Sequence, residues 1–149
     1  MLRSVGLASL VLLSSLSGCG DSTGPVSGVL GRARWAQQNL HDYTYTGRRE
    51  CFCGNAGRDV TVVVLADTVF SARVVGTTVE EPKGSWLTVE ELFNLAQRSP
   101  SGNLERVTVE YHPELGYPTR IDEICSPNIA DCGVTIETRN LEPIGFLTI

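Results

Sequence analysis

Few residues in this chain can do covalent or metal chemistry: five cysteines, Cys19, Cys51, Cys53, Cys125 and Cys132, and two histidines, His41 and His112. Cys19 ends the string Leu16-Ser17-Gly18-Cys19. A branched apolar residue and two small residues before a cysteine form the pattern of a bacterial lipobox. Ahead of it, Met1-Leu2-Arg3 is a short positive start, and Val5 to Leu16 is a charge-free apolar stretch of 12 residues. A bilayer-spanning helix takes about 20 apolar residues, so this stretch has the length of a secretory signal's apolar segment instead. Residues 1–18 are therefore expected to be a lipoprotein signal peptide, with Cys19 acylated and first in the mature chain. One acyl chain holds a protein to a membrane only marginally, whereas two or three hold it firmly.

Four cysteines remain, an even number in an exported domain, which suggests two disulfides among three connectivities. Only Phe52 separates Cys51 from Cys53. On an extended strand such residues share a face but lie too far apart for the Cβ separation of about 3.8 Å that a bridge needs. A Cys51–Cys53 bridge thus requires a bend, which Gly54 makes easy. Three readings stand for the pair: a structural clip, including crossed pairing to Cys125 and Cys132; a redox-active pair; and a thiolate metal site. Redox work needs cations close to the thiols. Arg48, Arg49 and Arg58 are near in sequence, and Glu50 opposes them. No HxH, HExxH or paired CxxC spacing supports a metal. His41, at the end of a first helix, and His112, beside Pro113, have cap and turn roles.

The remaining candidates are weaker. Glu80-Glu81, Glu90-Glu91 and Asp122-Glu123 are carboxylate pairs spread along the chain, and nothing in their spacing brings two of them together for hydrolysis. The serines, Ser126 included, lack a nucleophile-elbow pattern, and Gly28, Gly31 and Gly54 form no phosphate loop. No cofactor is implied. Trp86, in a Gly/Ser loop before a helix, is expected to be exposed and to serve as a partner contact, while the other aromatic residues are expected mainly in the core.

Length and charge bound the rest. A chain of 149 residues that is 42% apolar, with 12 basic and 17 acidic residues, holds one domain with a core. A net charge of -5, with Lys83 the only lysine, argues against nucleic acid as a partner. Residues 19–27 (Gly20 to Ser27 being GDSTGPVS) read as a flexible tether, and residues 28–149 as a single α+β domain.

Two helices and six strands must position these groups. Val29, Ala33, Ala36 and Leu40 recur on one helix face, with Trp35 extending the apolar side and Ser27 as N-cap. Tyr43 to Gly47, Val60 to Leu65 and Val69 to Val75 read as strands, the last two a hairpin through Ala66-Asp67-Thr68. Thr88-Val89-Glu90-Glu91 fits a capping box, with Leu87 and Leu92 as its hydrophobic staple and Leu92, Phe93, Leu95 and Ala96 as the buried stripe. Val107 to Tyr111, Tyr117 to Ile124 and Val134 to Arg139 read as three more strands. The sum is an antiparallel sheet of about six strands with two helices on one face, and the order raises a tandem helix–strand–strand–strand repeat.

Trp35, Leu40 to Tyr45, Cys51-Phe52-Cys53, the string Tyr111-His112-Pro113-Glu114-Leu115-Gly116-Tyr117-Pro118-Thr119-Arg120-Ile121, and Pro127 to Asp131 resemble the family catalogued as domain of unknown function 6174. The likeness covers nearly all of Val29 to Leu141. It implies the α+β fold and, because members are typically bacterial lipoproteins, the location, but it offers no catalytic or ligand residue to carry over. Cys125 and Cys132 stand as additions to the usual pattern. Arriving as an extra pair around a short loop, they are expected to bond to each other, which leaves Cys51 with Cys53.

The expected protein is lipid-anchored in the cell envelope, at the cell membrane or the outer membrane, facing away from the cytoplasm. It is expected to be a non-enzymatic binding or structural module for an unknown envelope protein or ligand. The alternative is a thiol–disulfide protein using Cys51 and Cys53.

Overall fold

The computed structural model describes residues 25–145 apart from 55, 130 and 131; the expected signal peptide, Cys19 and the first part of the expected tether lie outside the described residues. The elements run α1 (Pro25–Gln38), β1 (Tyr43–Glu50), β2 (Asp59–Leu65), β3 (Thr68–Val74), a single 3-10 turn (Lys83–Ser85), α2 (Val89–Ala96), β4 (Leu104–Tyr111), β5 (Pro118–Cys125) and β6 (Val134–Pro143). The strands form one antiparallel sheet in the order β3-β2-β1-β6-β5-β4. Two three-strand meanders are thus joined edge to edge by β1 and β6, with both helices on one face: an α+β domain.

The capping box forms as its residue types require. The Thr88 backbone N–H donates to Glu91 Oε2 at 2.7 Å, and the Glu91 N–H donates to Thr88 Oγ1 at 3.3 Å. A third helix-start N–H, that of Val89, donates to the Tyr43 hydroxyl at 2.9 Å, fastening α2 to β1. Burial pushes the Tyr43 hydroxyl up to about 12, against the lowering effect of that bond, so it stays protonated. Leu92 and Phe93 are buried, whereas Leu95 and Ala96 reach only half-burial. The β2–β3 connection is a two-residue turn with φ of 46° at Ala66 and 58° at Asp67, the left-handed pair that suits the twist of a tight hairpin. Asp42 steadies it by accepting the Ala66 N–H at 2.7 Å.

Helix α1 departs from the expectation in start and in face. It begins at Pro25, so Ser27 lies in its first turn rather than at its cap. Proline is favoured at a first helical position because the N–H it lacks has no partner there anyway. The residues turned inward are Gly28, Gly31 and Trp35, while Val29 is 68% exposed and Ala33 and Ala36 also face outward. The cause is close approach. A Cβ on Gly31 would sit 2.7 Å from the Gly116 carbonyl oxygen and 2.9 Å from Tyr111 Cδ1, so only the bare backbone lets α1 lie against the β4–β5 turn. Trp35 then reaches the core edge-on to Tyr43 at 5.4 Å and to Tyr117 at 6.2 Å. Val60, Val62 and Val64 of β2 and Phe93 of α2 complete that core.

The tandem repeat has no counterpart in three dimensions. Carrying β1, β2 and β3 onto β4, β5 and β6 in chain order shifts three positions across the sheet and reverses every strand. A rotation that does this also exchanges the two faces, yet both helices pack on the same one.

The other face is covered by no helix among the described residues and carries ions in register. Asp59, Arg48, Glu137, Arg120 and Glu110 are neighbours across β2, β1, β6, β5 and β4, alternating in sign. In the next row the Thr135 hydroxyl donates to Asp122 at 2.6 Å, and Arg120 grips Asp122 with two N–H groups at 2.8 and 2.9 Å.

Candidate functional site

Alternation along β1 sends Arg48 and Arg49 to opposite faces. Arg48 joins the outer row, 2.8 Å from Glu50 and 3.7 Å from Asp59. Glu50 is thereby occupied, and Arg49 is left on the helix side with no ion pair among the described residues. It is half-buried, donates from Nη1 to the Ser85 carbonyl, and keeps a buried Nε–H without an acceptor.

The segment before α2 brings Trp86 to this place. The 3-10 turn closes with the Trp86 N–H donating to the Lys83 carbonyl at 3.1 Å, which aims the chain back across the sheet. The indole lies where β1 has no side chain: a Cβ on Gly47 would meet Trp86 Cζ3 at 2.6 Å. A glycine inside a strand often marks such an approach. The Arg49 guanidinium sits over the indole, 5.9 Å from the ring centre. The expectation that Trp86 is exposed is corrected: it is 5% exposed, because Gly47 opens a slot for it. Its Nε1–H is buried with no hydrogen-bond partner among the described residues. A buried donor left unpaired costs about 1–3 kcal/mol, and Arg49 and Trp86 each carry one.

Arg49 and Trp86 line a cleft of about 370 Å³ at the end of the sheet that α2 leaves uncovered. Its lining is mainly apolar, with Leu87, Leu92, Val134 and Ile136, beside the polar Ser85 and Glu137. Cys51 and Cys53 stand on its rim, bonded to each other, with the chain bent so that the Cys53 N–H donates to the Cys51 carbonyl at 2.8 Å. The residue between them, expected in the core, is instead turned outward: Phe52 is 85% exposed, since a bend that faces two sulfurs together leaves the middle side chain no inward direction. The second bridge, Cys125–Cys132, closes the β5–β6 connection.

The other sequence candidates do not converge. His41 lies beyond the end of α1, its Nδ1 2.8 Å from Asp67 Oδ2 in the β2–β3 turn. His112 accepts the N–H groups of Glu114 and Leu115 at Nδ1 and stacks on Tyr117 at 5.0 Å. Glu80 pairs with Arg73, Glu90 with Arg32 and Glu123 with Arg98. Among the described residues no three His, Cys, Asp or Glu side chains are grouped to hold a metal ion. A larger cavity of about 620 Å³, between α1, α2 and β4, contains no buried donor or acceptor left unpaired among the described residues.

What these observations define is a small α+β domain with a cleft rimmed by a disulfide and lined by an arginine that has no ion pair among the described residues. The chain belongs to the family of unknown function DUF6174, whose model matches residues 29–143. No curated protein and no solved structure matches it. The string that carries most of the family likeness is structural. Tyr111 and Gly116 receive α1, Arg34 Nη1 donates to the Pro113 carbonyl at 2.6 Å, and His112 closes the turn between β4 and β5.

Sequence reasoning missed the cleft as a unit, although it singled out three of its members, Cys51, Cys53 and Trp86. Gly47 in an otherwise good strand was the available signal.

Proposed function

We propose that this protein is a lipid-anchored, non-enzymatic binding module of the bacterial cell envelope, and that its binding surface is the cleft beside Cys51–Cys53. The anchor reading rests on the lipobox at Cys19. Five residues separate that cysteine from Pro25, so α1 starts at most about 20 Å from the acylated sulfur at about 3.3–3.6 Å per residue. No helix among the described residues is long and apolar enough to cross a membrane. The observation that carries the binding reading is Arg49, a half-buried cation with no ion pair among the described residues, set in a mainly apolar lining with Trp86, whose indole N–H has no partner among those residues either. Phe52, held outward at the rim, is a ready contact for whatever docks there.

Two measurements test this. Intact-mass spectrometry of protein extracted from membranes should find a chain beginning at Cys19 and carrying acyl mass; an uncut leader or a bare, freely soluble chain refutes the anchor. A photo-crosslinker at Phe52 should give a discrete adduct in intact cells that is lost in Arg49→Ala, while one at Thr46 on the outer face should not. Equal adducts from both positions refute the cleft.

A second reading, thiol–disulfide exchange, is favoured by the position of the Cys51–Cys53 bridge on the same rim as Arg49, with Cys53 exposed. A thiolate of a partner dithiol attacks Cys53 Sγ, the S–S bond breaks, and Cys51 leaves as thiolate. The partner's second thiol then resolves the mixed disulfide, so the partner is oxidised and the pair reduced. A reduction potential between about -270 and -120 mV supports this reading, and one below about -300 mV ends it.

A further inference from the structure

We infer that the cleft takes a carboxylate borne on an apolar group, with Arg49 holding the carboxylate and the Trp86 N–H as a second donor; this rests on the cleft being the binding surface. Three observations meet there. Arg49 and Trp86 each carry a buried N–H without an acceptor, and both line the same cavity. An acceptor with two oxygens can serve both, and guanidinium geometry favours a planar carboxylate. Arg49 also has no ion pair among the described residues: Glu137, the one carboxylate residue in the lining, is held by Arg120 at 2.8 Å. The walls beyond are apolar, formed by Leu87, Leu92, Val134 and Ile136. A phosphate or sulfate, which demands several donors, would find one cation and aliphatic side chains. An apolar tail would find a matching surface.

Size narrows the class. At about 30 Å³ per water-sized group, a cavity of about 370 Å³ holds roughly ten to twelve heavy atoms, the size of an eight-carbon acid. The same chemistry is offered by a free acyl acid or by the last residue of a polypeptide, and the two are separated by experiment.

The test uses the whole mature chain in detergent and follows the two tryptophan indole N–H resonances, assigned by loss of one in Trp86→Phe. Octanoate should move the Trp86 resonance downfield and saturate, while octan-1-ol binds at least tenfold more weakly. Arg49→Lys, which keeps the charge and loses the fork, should weaken octanoate at least tenfold, and Arg48→Lys on the outer face should change nothing. Should Arg49→Lys fail to fold, the octanoate-to-octanol ratio on the unaltered chain decides alone. N-acetyl-leucine, with twelve heavy atoms, against its C-terminal amide supplies the chain-end arm, and whichever acid binds more tightly names the source. Equal binding of octanol and octanoate, or a Trp86 resonance unmoved by either acid, overturns the proposal. If the Phe52 crosslink persists in that event, the ligand class falls and the binding surface stands; if the crosslink is also absent, the cleft itself is wrong.

Discussion

Substituting Gly116 tests how α1 is held. At this residue φ is 82°, and an added Cβ would overlap the Gly31 carbonyl oxygen and come within 2.8 Å of Arg34 Cβ. Two costs follow in Gly116→Ala. The left-handed conformation costs an alanine about 1–2 kcal/mol. Forcing a methyl between two backbones costs about 1–3 kcal/mol more, because neither the helix nor the turn can yield as a flexible side chain would. The expected loss is about 3 kcal/mol, a large part of a stability of about 5–15 kcal/mol, and it lowers Tm by about 10–15 °C for a domain of this size. Gly102→Ala is the control, since its φ is 59° and nothing lies within 4 Å of the added Cβ; it should show the conformational cost alone, about 1–2 kcal/mol. Urea unfolding followed by tryptophan fluorescence reads both, with Trp35 on α1 reporting directly. Losses that are equal within about 0.5 kcal/mol, the usual scatter of independent sites, would refute the close-packing account of α1.

Other expectations are read the same way. Thr88→Ala removes the acceptor for the Glu91 N–H and leaves Glu91 reaching back alone, so it should cost about 1 kcal/mol in urea unfolding. Burial raises the Asp122 carboxyl, but its bonds to Arg120 and Thr135 and the Arg120 charge together outweigh this and hold it below its ordinary value of 3.8. Its contribution is therefore present above that value and is lost as pH falls through the lower folded-state value. Asp122→Asn should destabilise at pH 7 by about 1 kcal/mol, with the gap to the unaltered chain closing in acid. Replacing both Cys125 and Cys132 by serine opens a loop with a sequence separation of 7 and should cost about 2.5 kcal/mol by loop-closure entropy, seen as a lower urea midpoint. Phe52→Ser should leave the midpoint within about 0.5 kcal/mol, as for exposed positions, because this ring is 85% exposed; a larger loss would mean that it packs.

Local signals were legible and non-local ones were not. Helix α2 announced itself because its cap, staple and stripe lie within ten residues and need nothing else. The six strands showed as alternation, and the Ala66-Asp67 turn as a short gap between two of them. For helix α1 the sequence offers Val29, Ala33, Ala36 and Leu40 with Trp35 beside them; Trp35 and Leu40 do meet the core, yet the face that packs is built on Gly28 and Gly31, whose use is the absence of a side chain and which carry no hydrophobic signal. Trp86 was misjudged for a related reason. Its burial depends on Gly47, 39 residues earlier in the chain, and on a strand and a turn meeting. Phe52 misled in the other direction, since aromatic character alone says core while a cysteine on either side says bend. Arg49 was weighed only as a neighbour of the thiols, because the sequence does not show that Glu50 is taken by Arg48.

The uncovered face of the sheet has a consequence for how copies of this domain can meet. Across five strands each guanidinium has a carboxylate on either side, from Asp59 through to Glu110. Three carboxylates alternate there with two guanidinium groups, and stacking two such sheets would strip water from ten charged groups, several of them already paired within their own sheet. Desolvation of that kind outweighs what new cross-pairs return. Two bare sides are therefore expected to resist layering onto one another.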